Sequence, residues 1–214
     1  MLTRPQFDIA CRALVGKYAY TAPSPATTPL KGWSWHEHAS INGLGYLSRR
    51  TIHTRFSCFG TDDEELYREE YEEQQDESTA TAVPDATLVC QQYIVYSATY
   101  QVPAFYFTMH DCNGSPLALA DIVNTSLFRP SAFDSAELTT FALNIPDRMF
   151  PLLSQGDHPT LGTPSWYLHP CESAGAVDEL MRELGEAEWT TEEGLVRWIE
   201  MWIMVVSTVV ELCE

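Results

Sequence analysis

Two runs dense in tyrosine, phenylalanine, valine and isoleucine, residues 88–100 and 104–110, do most to limit what this chain can fold into. Aromatic and β-branched side chains fit the pleated, half-buried surface of a strand, and Asn113-Gly114-Ser115-Pro116 closes the second run with turn residues. Period-two alternation also marks residues 31–38 and 46–59. It sets Trp33, Trp35 and Glu37 on one side of the first of these, and Ser34, His36 and His38 on the other. Asn42-Gly43 between them is a turn signal. The four runs predict an antiparallel four-stranded meander joined by consecutive hairpins.

Helical patterns flank the meander. Thr3 followed by Gln6, with Pro5 between, forms a capping box, and Phe7, Ala10, Cys11, Leu14, Val15 and Tyr18 then recur at helical spacing up to a proline-rich stretch at 23–29. A short helical piece is expected near 117–124, a stretch with no assigned element near 136–151 and a Gly/Pro-punctuated loop over 158–170. Two helices follow at 174–184 and 191–211, the second opened by Thr190 or Thr191 with Glu192 and Glu193 where the helix dipole favours anions. On a helical wheel Arg197, Glu200, Ser207, Glu211 and Glu214 form one stripe, so that face is expected to meet water. The last helix is apolar enough to resemble a membrane anchor, but its uncharged part, residues 201–210, is half of the ~20 residues a bilayer needs. No stable membrane insertion is expected. The sum is an α+β fold in a single domain over residues 1–214, a length that supports one proper core.

Charge narrows the partners. The formal net charge of -18 is concentrated in residues 61–77, with ten acids against Arg68, and in 172–214, with eleven acids against Arg182 and Arg197. Nucleic acid is excluded by the lack of clustered lysine and arginine, whereas basic protein surfaces remain suitable partners. The acidic segment at about 61–83 cannot be packed and reads as a solvated insertion between the second and third strands.

Six cysteines, Cys11, Cys58, Cys90, Cys112, Cys171 and Cys213, are spread without a CxxC pair. That is unlike a secreted disulfide scaffold, no secretory leader is apparent, and a reducing compartment, the cytoplasm, is expected. Cys171 is singled out by its surroundings, Tyr167-Leu168-His169-Pro170-Cys171-Glu172-Ser173, between a loop and a helix start. There the sulfur meets the positive end of a helix dipole, a setting in which nucleophilic cysteines occur. Pro170 biases His169 toward extended backbone, and in an extended segment residues i and i+2 face the same way, which sets His169 beside Cys171. Local chemistry leaves two readings open, a nucleophile with a polar assistant and an inert buried thiol.

The run from His158 to the triplet His169-Pro170-Cys171 resembles the active-site signature of the autophagic E2-like conjugating enzymes. Tyr96-Ser97-Ala98-Thr99-Tyr100-Gln101-Val102-Pro103-Ala104-Phe105-Tyr106-Phe107 is similar to the third strand, turn and fourth strand of those enzymes. One such family conjugates to a lipid and another to a protein lysine; the short chain and the lack of a histidine two residues after Cys171 match the second, the autophagy-related protein 10 family. The resemblance implies an E2-like fold, a four-stranded antiparallel sheet flanked by helices. It implies that an E1-like activating enzyme loads a ubiquitin-like protein of the autophagy-related protein 12 type onto Cys171 as a thioester. Transfer then goes to a lysine of a protein acceptor of the autophagy-related protein 5 type, with no metal or organic cofactor. His169 and Tyr100 become candidate neighbours that shape the site. No His-Pro-Asn precedes the cysteine as in ubiquitin E2 enzymes, so His169, Tyr100 or backbone N–H groups are left to stabilise an oxyanion.

Rival readings are a cysteine peptidase using Cys171 with His158 or His169 and a carboxylate, and a non-catalytic interaction module. A zinc site from His36 and His38 with His53 or Cys58 matches no common ligand spacing. Because ten acids in the segment 61–77 cannot contribute a core, deleting residues 64–78 is expected to cost less than about 2 kcal/mol in urea unfolding. A larger loss would mean that the segment packs on the domain.

Overall fold

The computed structural model describes residues 2–19, 30–41, 43–56, 87–130, 132–146, 148–171, 173–185 and 190–212. The acidic segment at 61–83, the proline-rich stretch at 23–29, and Cys58 and Cys213 lie outside the described residues.

Helix α1 (Arg4–Ala19) begins at the expected capping box: Gln6 Oε1 accepts the Thr3 N–H at 2.9 Å while the Gln6 N–H donates to Thr3 Oγ1 at 3.4 Å. It buries Phe7, Ala10, Cys11 and Leu14, the face the spacing predicts. Strands β1 (Ser34–His36), β2 (Tyr46–Thr54), β3 (Thr87–Ser97) and β4 (Val102–His110) form the expected antiparallel meander. Alternation sends Leu88, Cys90, Ile94 and Tyr96 of β3 and Phe105, Phe107 and Met109 of β4 into the core.

The expectation of four strands is wrong: among the described residues the sheet has eight, in the order β1-β2-β3-β4-β8-β7-β6-β5, all antiparallel. A short helix, α2 (Leu119–Ile122), precedes the additional strands β5 (Glu137–Leu138), β6 (Ala142–Asn144), β7 (Leu153–Asp157) and β8 (Pro164–Leu168). Thus strands occupy parts of 136–151, to which the sequence assigns no element, and of 158–170, where a loop is expected. β5 and β6 are too short to show a period, and β7 is Leu-Ser-Gln-Gly-Asp, a run of weak strand formers. Pairing on a preformed edge overrides such local preference. β8 supplies that pairing, setting Tyr167 opposite Tyr106 and Trp166 opposite Phe107 on the edge of β4 that a four-stranded meander leaves bare.

Helices α3 (Ser173–Glu183) and α4 (Glu192–Val206) complete the fold. Thr191 caps α4, its side chain accepting the Gly194 N–H at 3.2 Å. α4 packs against both α1 and α3, and Trp198 and Trp202 are sealed in the core; the Trp198 indole N–H also donates to Asp178 on α3 at 3.3 Å. The expected outward stripe of α4 needs one correction. Arg197 is exposed, but Glu200 is buried, because α1 crosses it and brings Lys17 Nζ and the Tyr18 hydroxyl to its Oε1 at 2.6 and 2.9 Å. Among the described residues, no helix is long and apolar enough to cross a membrane.

Glu200→Ala strips two donors of their acceptor beneath α1 and is expected to cost about 1–3 kcal/mol in urea unfolding, with Glu200→Gln recovering part. A cost below about 0.5 kcal/mol would show that the contact is no more than an ordinary surface pair.

Candidate active site at Cys171

The site is built where β8 leaves the sheet. The β7–β8 ladder runs to Leu153 opposite Leu168, and one further bond, from the His169 N–H to the Leu152 carbonyl at 3.0 Å, carries it to His169. Pro170 has no N–H to continue it. The chain turns at Cys171, and α3 starts at Ser173, whose hydroxyl donates to the Pro170 carbonyl at 2.9 Å. Cys171 is exposed and carries a free thiol, as does Cys112; Cys11 and Cys90 are buried.

Tyr100 comes from the other side. The β4–β8 register brings the C-terminal end of β8 beside the N-terminal end of β4, and so beside the β3–β4 turn that holds Tyr100. That turn is tightly tied: Gln101 adopts φ 54°, its N–H donates to the Ser97 carbonyl, and its own carbonyl accepts the Leu2 N–H at 3.0 Å.

These elements join three residues in one chain of hydrogen bonds. The Cys171 backbone N–H donates to Nδ1 of His169 at 3.4 Å, and Nε2 of His169 lies 3.1 Å from the Tyr100 hydroxyl. With Nδ1 accepting, the neutral imidazole carries its proton on Nε2 and donates it to Tyr100. The Tyr100 O–H is then free to donate elsewhere. His169 therefore addresses the backbone of Cys171, where extended geometry alone had set it beside the side chain. Phe150 lies flat on the same imidazole, with ring centroids 4.6 Å apart and planes 7° apart. A cleft of about 70 Å³ lined by Arg148, Phe150, Leu152, His169 and Cys171, among others, opens at the sulfur. A larger, mainly apolar hollow of about 300 Å³ adjoins it through Arg148, Leu152 and His169. Neither Phe150 nor Arg148 carries a sequence signal, since both fall in a stretch to which the sequence assigns no element.

His158 is elsewhere. It sits past the far end of β7, and the five-residue strand β8 separates that turn from Cys171 by roughly 16 Å at 3.3 Å per residue. Its Nδ1 accepts the N–H groups of Thr160 and Leu161, both at 3.1 Å, and its ring packs among Tyr46, Tyr93 and Tyr106 on the outer face of the sheet. A peptidase dyad of Cys171 with His158 is thereby ruled out. The histidines considered for zinc are also apart in role: His36 stacks on Tyr46, Nδ1 of His38 accepts the Ser40 and Ile41 N–H groups, and His53 bonds Thr51 and Ser126. Among the described residues no three His, Cys, Asp or Glu side chains are grouped to hold a metal ion.

With this geometry in view, comparison with known proteins identifies the family. Residues 6–214 match the model of the autophagocytosis associated protein, active-site domain. The chain belongs to this family. It is 26% identical over 132 residues to the ubiquitin-like-conjugating enzyme ATG10 of Homo sapiens, covering 62% of this chain and 53% of that one. Against the protein of the same name from Arabidopsis thaliana it is 30% identical over 122 residues, or 56% and 48% of the two chains. The counterpart in Dictyostelium discoideum is 33% identical over 96 residues, 44% of this chain and 35% of its own. The match therefore spans about half the length of the human and plant relatives. These names agree with the resemblance to the autophagy-related protein 10 family carried by the His169-Pro170-Cys171 triplet.

Burial lowers the pKa of both His158 and His53 to about 4 from 6.5, desolvation being the main cause in each. The unfolded chain binds these protons first, so the stability they hold is complete above about pH 6.5 and drains away as pH falls toward 4. His158→Asn keeps an acceptor for the Thr160 and Leu161 N–H groups but does not titrate. Unfolding midpoints at pH 7 and pH 5 should differ less in this variant than in the wild type. An unchanged pH dependence would show that His158 is not held neutral by the fold.

Proposed function

We propose that the chain is an E2-like enzyme that receives a ubiquitin-like protein from an E1-like activating enzyme as a thioester on Cys171 and passes it to a lysine of a protein acceptor. Support comes from the family, from the names of its relatives, and above all from one observation: an exposed free thiol whose own backbone N–H engages His169, which in turn holds Tyr100. By the resemblance, the carried protein is of the autophagy-related protein 12 type and the acceptor of the autophagy-related protein 5 type. Chemistry that depends on a free thiol suits the cytoplasm. The chain is read as a single domain, with the acidic segment at 61–83 falling in the sequence between β2 and β3.

Loading exchanges one thioester for another. The Cys171 thiolate attacks the carbonyl of the E1-bound thioester, a new C–S bond forms, and the E1 cysteine leaves as its thiolate. In transfer, a neutral lysine amine attacks the Cys171 thioester carbonyl. A C–N bond forms, negative charge collects on the carbonyl oxygen, and collapse breaks the C–S bond; the thiolate leaves and the amine's proton passes to solvent. Tyr100 is assigned to that oxygen, because its hydroxyl accepts from His169 and still has a proton to give. His169 is assigned to orienting Tyr100 and the Cys171 backbone rather than to accepting a proton, since each of its ring nitrogens already has a partner other than the sulfur. A cleft of only about 70 Å³ at the sulfur suits a slim occupant such as an extended main chain or a lysine side chain.

Cys171→Ala is expected to abolish the adduct, whereas Cys171→Ser should accumulate an oxygen ester that survives reductant and yields to hydroxide, because esters react more slowly with amines than thioesters. Cys11→Ala, Cys90→Ala and Cys112→Ala should still charge. Tyr100→Phe should leave loading close to normal and slow transfer to lysine about 100- to 1000-fold, the span seen when an oxyanion donor is removed. The readout is a charging and discharge assay with purified E1-like enzyme and ubiquitin-like protein, resolved on non-reducing gels. Charging by Cys171→Ala, or a reductant-sensitive adduct on another cysteine, would sink the proposal.

A further inference from the structure

Phe150 is an aromatic ring that the core does not need. It lies between β6 and β7, is 44% exposed, and follows Met149, which is 89% exposed. Yet it is one of the best-aligned rings in the molecule, stacked on His169 with centroids 4.6 Å apart and only 7° between planes. Tyr100 meets the same imidazole edge-on, at 5.1 Å and 71°. The support is doubled within one short segment, because Leu152, two residues on, accepts the His169 N–H through its carbonyl.

The contact from the Cys171 N–H to Nδ1 is 3.4 Å, at the long end of the range, whereas the Tyr100 bond is 3.1 Å and two aromatic rings face the imidazole. Turning the imidazole about its last torsion by a right angle breaks both hydrogen bonds and the flat contact together. Such sp³–sp² torsions have broad wells, and packing against a ring face narrows them.

We propose that Phe150 is a positioning residue, which holds the His169 imidazole in the plane that lets Nε2–H orient the Tyr100 hydroxyl and Nδ1 receive the Cys171 N–H. The inference rests on the reading of Cys171 as a thioester carrier. Phe150 acts through His169, so its removal affects the aminolysis step and spares loading.

Two measurements on the full chain test this. The first needs no activity: two-dimensional NMR of the histidine side-chain nitrogens should show His169 as a single Nε2–H tautomer in the wild type and in Phe150→Tyr, which keeps a flat ring. Phe150→Leu should give averaged tautomer shifts. The second charges the chain and follows discharge to free lysine. Phe150→Leu should load within about twofold of the wild-type rate but discharge about tenfold more slowly, a loss typical of a misplaced catalytic group. Phe150→Tyr should restore discharge to within about threefold, and Phe150→Leu added to His169→Ala should slow it no further than His169→Ala alone. Averaged tautomers in the wild type, an unchanged tautomer with wild-type discharge in Phe150→Leu, or multiplicative losses in the double variant would each overturn the inference. A wild-type chain that shows the fixed tautomer but forms no reductant-sensitive adduct would instead overturn the thioester reading.

Discussion

The pairing of β8 with β4 is the contact on which the rest depends. Two cross-strand pairs, Tyr106 with Tyr167 and Phe107 with Trp166, place the late strand β8 against the edge of the early meander. They do three things at once. They cover an edge that would otherwise offer unpaired N–H and C=O groups, they carry β5 to β7 into the same sheet, and they deliver the His169-Pro170-Cys171 triplet next to the β3–β4 turn. A cysteine on a loop alone would wander; here the last ladder bond is made by the residue two before it.

The two faces of that sheet have separate work. Inward-facing Phe105, Phe107 and Ile94 share one buried cluster with Trp198 and Trp202 of α4, the apolar centre of the domain. Outward-facing Tyr46, Tyr93, Tyr106 and Tyr167 gather around the β7–β8 turn and hold His158 among them. One buried cation is satisfied by partners from several segments. Arg49 is buried yet donates to Gln92 at 2.7 Å and to the Leu212 carbonyl at 3.0 Å, while its guanidinium covers Trp33, so one cation joins β2, β3 and the end of the chain. These bonds fix the rigid frame that a preorganised site requires.

Patterns of short range were readable from the residues alone. The Thr3 and Gln6 capping box, the Thr191 cap, the alternation of β2 to β4, the buried face of α1 and the strand-to-helix setting of Cys171 all depend on neighbours within a few positions. The family was readable too, because it rests on a compact motif around Cys171. The i, i+2 spacing set His169 beside Cys171, but it did not show that the imidazole bonds the Cys171 backbone, nor that His158 packs beyond the far end of a hairpin.

What only the tertiary structure decided is everything whose energy lies in a partner far along the chain. β7, with Ser, Gln, Gly and Asp, becomes a strand because β8 is beside it, and Glu200 is buried because α1 supplies Lys17 and Tyr18. Phe150 gives no sign of itself in the sequence, and it joins the candidates Tyr100 and His169 because three segments converge. A local pattern states which face a residue prefers; the free energy of a long-range contact belongs to the pair, and half of the pair is always elsewhere in the sequence.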